Sequence, residues 1–146
     1  MHELYEIIYS NLTKYILTNS KYSSYIKITK YKPNETSDFP LITCVEGSYT
    51  SNPTTLKYGD YLYNYNVMEV NIFTQNKTID GVKVSGMTIK DEIRNHIETY
   101  FKDVYKMNIQ VTPNAPNVDD SIYRCVINVN CIVDTKFTDK LIIYPK

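Results

Sequence analysis

The stretch Ile122 to Asp134, I-Y-R-C-V-I-N-V-N-C-I-V-D, constrains the fold of this chain more than any other. Read at a period of two, one phase is Tyr123, Cys125, Ile127, Val129, Cys131 and Val133, with no charged or amide side chain. The other phase is Ile122, Arg124, Val126, Asn128, Asn130, Ile132 and Asp134, mixed to polar. Successive strand side chains point to opposite faces, so this pattern predicts a long strand with one buried and one wetter face. At about 3.3 Å per residue it spans roughly 40 Å, about twice an ordinary strand. The rest of the chain must cover its apolar side.

The segments on either side fit that demand. Residues 3–18 predict a helix, with Leu4, Ile8, Leu12, Tyr15 and Ile16 near one face and Asn19-Ser20 as its stop. Residues 25–31 alternate as a short strand, and a polar, proline-marked loop follows over 32–38. Phe39 to Glu46 is apolar on both phases, the mark of a strand covered on both sides. Gly47 to Asp60 is a long Gly/Ser/Asn/Pro/Thr excursion that runs into Y-G-D-Y-L-Y-N-Y-N. A protruding loop or hairpin is expected over about 47–65, and a loop of that length is usually functional.

Asn66 to Thr74 predicts a strand, and 75–86 a turn with its tip at Asp80-Gly81. A second helix is expected from about Thr88, with Thr88 and Asp91 as a variant capping box. Its apolar stripe is Ile89, Ile93, Ile97, Tyr100, Phe101 and Val104, with Lys90, Arg94, Glu98 and Lys102 facing water. Residues 107–112 alternate as a strand, 113–120 form a connector, and 141–144 add a short last strand. The expected fold class is α+β: a single mixed or antiparallel sheet of four to five main strands, with two helices packed on one face. The length of 146 residues suits one domain over 1–146.

Composition excludes several functions. Lysine plus arginine equals aspartate plus glutamate at 16 each, without the basic stripe a nucleic-acid binder shows. Glu3 and Glu6 stand where a signal peptide would be basic and then apolar, and no apolar run reaches about 18 residues. The expectation is cytoplasmic synthesis and no membrane. The Asn-x-Thr triplets at Asn11, Asn34 and Asn76 then read as chance. Cys125 and Cys131 fall on one strand face roughly 20 Å apart, too far to bridge or to share a metal. Together with Cys44 they read as small buried hydrophobes. The only histidines are His2 and His96, and no nucleophile elbow, phosphate loop or dinucleotide fingerprint is present. No catalytic, cofactor-binding or metal-binding residue is expected, and the chain does not read as an enzyme.

Two other features bear on function. The excursion brings together Tyr49, Tyr58, Tyr61, Tyr63 and Tyr65, three of them on one side of an extended segment. This row reads either as a contact surface or as a strand edge enriched by AT-rich coding, which also explains the abundance of Ile, Lys and Asn. Asn114, Asn117, Asp119 and Asp120 make a secondary candidate interface, as does the loop at 33–38. The wetter phase of the long strand carries Arg124, Asn128 and Asn130, polar and nearly uncharged.

The order of these pieces is familiar. A helix, a strand opening with Phe39-Pro40, a long loop, a strand ending Val70-Asn71-Ile72-Phe73-Thr74, an amphipathic helix and D-S-I-Y-R-C-V-I-N-V-N-C-I-V-D follow one another. This resembles the tail terminator (tail completion, head–tail joining) proteins of long-tailed phages and phage-tail-like particles, over nearly the whole chain. The resemblance implies a structural virion protein at the tail–neck junction, assembled in the host cytoplasm. Copies of it would form a ring, usually a hexamer, that caps the tail tube, ends tube polymerisation and joins the tail to the neck. Implied partners are the chain itself, the tube protein, a neck or connector protein and, in contractile tails, the sheath. DNA would be passing cargo only. Of the family's contacts only the use of loops and strand edges carries over; no residue takes a named family role.

Within that picture Tyr49, Tyr58, Tyr61, Tyr63, Tyr65, Asn114, Asn117, Asp119 and Asp120 are the candidate assembly residues. Arg124, Asn128 and Asn130 are the candidate lumen-facing ones. The alternatives are another neck or minor virion component, such as a head-completion or tube-initiating protein, and a cytoplasmic ligand-binding domain.

Overall fold

The computed structural model describes residues 2–31, 38–51, 62–117, 119–134 and 142–144. Helix α1 (His2–Asn19) is followed by strands β1 (Lys27–Thr29), β2 (Leu41–Glu46), β3 (Tyr49–Ser51) and β4 (Leu62–Thr74). Next come β5 (Lys77–Ile79), β6 (Val82–Val84) and helix α2 (Gly86–Thr99), which runs on into a π-helical turn at Tyr100–Val104. Strands β7 (Asn108–Ala115), β8 (Tyr123–Asp134) and β9 (Ile142–Tyr144) complete the chain. The class is α+β, as the alternating and helical patterns predict.

The main sheet runs β1-β2-β4-β8-β7, with β3 added on β4 and β9 on β8; β5 and β6 make a separate hairpin. Its seven strands exceed the four to five main ones expected, because the short strands β1 and β9, expected at 25–31 and 141–144, join it together with β3, a three-residue piece that no periodicity window resolves. All pairings are antiparallel except β1 with β2. The predicted long strand is β8, and its apolar phase from Cys125 to Val133 is buried without exception. It pairs along its whole length with β4, from Leu62 opposite Asp134 to Thr74 opposite Tyr123. Long strands stabilise each other through such cross-strand pairs.

The helices cover the face that β8 turns inward. Leu4, Tyr5, Ile8, Leu12 and Ile16 of α1 and Ile89, Ile93 and Ile97 of α2 join Val70, Ile72, Cys125, Ile127 and Val129 in one hydrophobic cluster. The Tyr5 hydroxyl donates to the Cys44 carbonyl, pinning α1 to β2. The Asn19 side chain caps the end of α1 by donating to the Tyr15 carbonyl at 2.8 Å. On the opposite face Phe39, Leu41 and Phe73 make a small second cluster with Ile122. This explains why β2 is apolar on both phases.

Two expectations about α2 need correction, besides Val104, which is expected on the apolar stripe and is 59% exposed at the end of the π-helical turn. The helix starts at Gly86 rather than near Thr88, and Ser85 is the cap, its Oγ accepting from the Met87 N–H at 3.2 Å. The reason is packing. A Cβ at Gly86 would lie 2.6 Å from the Tyr123 ring and 2.8 Å from the Gln75 main chain, so glycine alone lets the first turn sit this close. Thr74 Oγ1 donates to the Gly86 carbonyl and Gly86 N–H donates to Asn76 Oδ1, which holds the turn there. The second correction concerns Lys90, expected in water. It is 1% exposed, because it lies one turn past Gly86, under the edge of the sheet. Its ammonium reaches Asn114 Oδ1 at 2.6 Å, with the aliphatic stem buried along the way.

Candidate functional site

The expected protrusion over 47–65 is built as strand where it is described. Past the end of β2, β4 and β8 continue together, flanked by β3 on one side and β9 on the other, with Tyr65, Cys131 and Val133 still part of the main buried cluster. Core and extension meet at a joint. There β2 gives way to β3 through Gly47-Ser48, and the β4–β8 register slips between Asn66 and Met68. Gly47 lies directly against Asn66, where a Cβ would sit 1.9 Å from Oδ1. A bulge adds local bend and twist, so this joint aims the extension relative to the core.

Tyr49, Tyr63 and Tyr65 come together on the extension. The Tyr49 ring meets Tyr63 edge-on at 5.8 Å and Tyr65 at 6.2 Å. They share the sheet face that carries the helices, since Tyr49 pairs with Tyr65 and Tyr65 with Cys131. Tyr65 is buried and Tyr49 is 54% exposed. Burial, with the Glu46 carboxylate nearby, raises the Tyr65 phenol above its ordinary value. Glu46 in turn accepts from His2 Nδ1 at 2.7 Å, tying the start of α1 to the joint. Tyr58 and Tyr61 lie outside the described residues.

The open face of the sheet is organised in rows. Asn66, Asn130 and Asn108 stand opposite one another across β4, β8 and β7, and Glu69, Asn128 and Gln110 form the next row. Asn66 Nδ2 donates to Asn130 Oδ1 at 3.0 Å. Arg124 lies over the Phe73 ring at 5.8 Å and donates through Nε to Asn71 Oδ1 at 2.9 Å and through Nη1 to the Pro116 carbonyl at 3.3 Å. Asn71 Nδ2 then reaches Glu69 Oε1 at 2.9 Å. Along the two central strands the face is thus amide-rich, and its arginine is held by neighbours.

The connector residues behave differently from one another. Asn114 is engaged by Lys90, and Asn117 is half-buried. Asp119 Oδ1 accepts from both the N–H and the hydroxyl of Ser121, which holds its carboxyl below the usual value. Asp120 is exposed. Strand periodicity could not reveal Gly47, Asn66 or Asn71, because their partners are set by cross-strand register.

Ser20 Oγ donates to Glu92 Oε2 at 2.7 Å, while His96 Nε2 sits 2.8 Å from Glu92 Oε1. Serine and histidine therefore meet opposite oxygens of one carboxylate instead of each other, which is a clasp between α1 and α2 and not a nucleophile–base pair. All three cysteines are free and buried. Burial pushes the Cys44 thiol up to about 12 and those of Cys125 and Cys131 to about 11. Among the described residues no group of three or more His, Cys, Asp or Glu side chains could hold a metal, and no helix is long and apolar enough to cross a membrane. Compared with known proteins, the chain matches no family model and no curated sequence.

Proposed function

We propose that this chain is a structural virion protein whose copies form a ring on the end of a tail tube, stop its polymerisation and join the tail to the neck. The reading starts from the resemblance in element order. The observation that carries it furthest is the two-faced sheet. One face is sealed by both helices, while the other carries the small patch of Phe39, Leu41 and Phe73 at one end and, along the rest of β4 and β8, rows of amides with Glu69 among them. A small monomer has no need of so long an open face. In a ring it would line a passage. Amides offer no phosphate-pairing charge, and Arg124 is already occupied by Phe73, Asn71 and the Pro116 carbonyl. Duplex DNA would meet a wall without electrostatic grip. The extension with Tyr49 at its surface is the part placed to reach a neighbouring copy or the tube.

The test is genetic and structural. Particles lacking the protein should carry over-long or headless tails in negative-stain images. Tails of normal length with heads attached would remove the terminator reading. Within assembled particles, Asn128→Lys should slow genome ejection by adding a ring of cations. Unchanged assembly and ejection in both Asn128→Lys and Arg124→Ala would remove the lumenal assignment.

A further inference from the structure

Strand β7 ends the main sheet. It pairs with β8 on one side, and among the described residues no strand pairs with its other side. Such an edge presents a row of main-chain donors and acceptors whose geometry only another extended chain can match. Soluble proteins usually blunt long edges with charge or proline. Here Lys106 precedes the edge and Pro113 sits within β7, at the slip in its pairing with β8, while the five positions from Asn108 to Thr112 carry neither charge nor proline. Ile109 and Val111 are half-buried toward the helices, while Asn108, Gln110 and Thr112 are exposed on the open face.

We propose that this edge pairs with the same edge of a second copy, antiparallel, about a two-fold axis through Gln110. That register sets Asn108 opposite Thr112, Ile109 opposite Val111 and Gln110 opposite its own copy. Every pair then joins polar to polar or apolar to apolar. A two-fold contact places each residue at the axis against itself, so a charge there would be repelled; this segment has none. The other end of the sheet, β1, offers only three residues, too short to match the edge head-to-tail. An axis perpendicular to the sheet leaves both pairs of helices on one side and runs the two amide-rich faces together. The contact is isologous, so it is additional to the head-to-tail contact of a ring and does not rest on that reading. A five-residue ribbon alone falls short of the roughly 1,000 Å² of a stable interface, so the pairing is concentration-dependent.

The test is sedimentation of the full chain from roughly 10 μM to 1 mM, the range in which weak complexes form. The wild type should pass from monomer to dimer. Gln110→Lys and Gln110→Glu, at an exposed position, should each weaken the dimer by up to about fivefold, as expected for like charges directly opposite. An equimolar mixture of the two should associate at least as strongly as the wild type. Far-ultraviolet circular dichroism of each variant separates lost pairing from lost folding. A wild type that stays monomeric throughout overturns the proposal. So does a mixture no tighter than either variant alone, since that places any dimer contact away from Gln110.

Discussion

The Lys90 ammonium donates to Asn114 Oδ1 at 2.6 Å, joining the buried flank of α2 to the far end of the edge strand β7. A buried ammonium held by a neutral amide is asymmetric in its consequences. Removing the acceptor leaves a desolvated charge, while removing the charge leaves an amide near solvent. Asn114→Ala should therefore lower stability by about 1.5–3 kcal/mol, and Lys90→Met should change it little. On the Lys90→Met background the Asn114→Ala loss should shrink, and urea unfolding of the four proteins measures that coupling.

Helix α2 should answer to Ser85 and Gly86 and not to Thr88. Ser85→Ala is expected to cost about 1 kcal/mol through loss of the cap, with Thr88→Ala near neutral. Gly86→Ala adds a helix-favouring methyl, worth up to about 1 kcal/mol. That methyl would run into the Tyr123 ring and the Gln75 main chain, and overpacking of about 1–3 kcal/mol should win. Thermal melts of the three variants check the ranking.

Cys44, Cys125 and Cys131 should resist alkylation near pH 8 in the folded chain and react together on unfolding, as counted by intact mass. Their folded thiol values, about 12 for Cys44 and about 11 for the other two, lie above the ordinary 9.0. Groups raised in this way contribute stability that is whole below the ordinary thiol value and is lost as pH rises toward 11 to 12. An alkaline melt should show that loss, and Cys44→Ala should make it shallower.

At the acid end the sign is reversed. Lys30 holds the Glu6 carboxyl below its ordinary value, and Ser121 does the same for Asp119. Their contribution is present above the unfolded carboxylate range and is lost as pH falls through the lowered folded values. Both carboxylates are exposed, so the effect is small and screened by salt. Carboxyl titration by NMR should place both midpoints below model peptides, and Asp119→Asn should flatten the acid limb of the stability curve.

The elements legible in the sequence were those with long, regular patterns. The alternation of β8 foretold its buried phase from Cys125 to Val133, and the stripe through Ile89, Ile93 and Ile97 foretold the inner face of α2. What stayed hidden depended on neighbours far along the chain. Lys90 sits where a charge on a helix flank should meet water, yet β7 lies over that flank. The start of α2 looked to belong to Thr88 because nothing local announces that Tyr123 presses on Gly86. The tyrosine row was visible as composition, but register with β3 and β8 decides that Tyr65 is buried and Tyr49 exposed.

By itself the sequence determined the class of fold and which side of each long strand is apolar, because side-chain periodicity acts within a few residues. Only the tertiary structure decided which amides share a row, where the sheet is left open and which cation is buried. Those follow from strand order and register, and contacts between distant segments leave no local periodic trace.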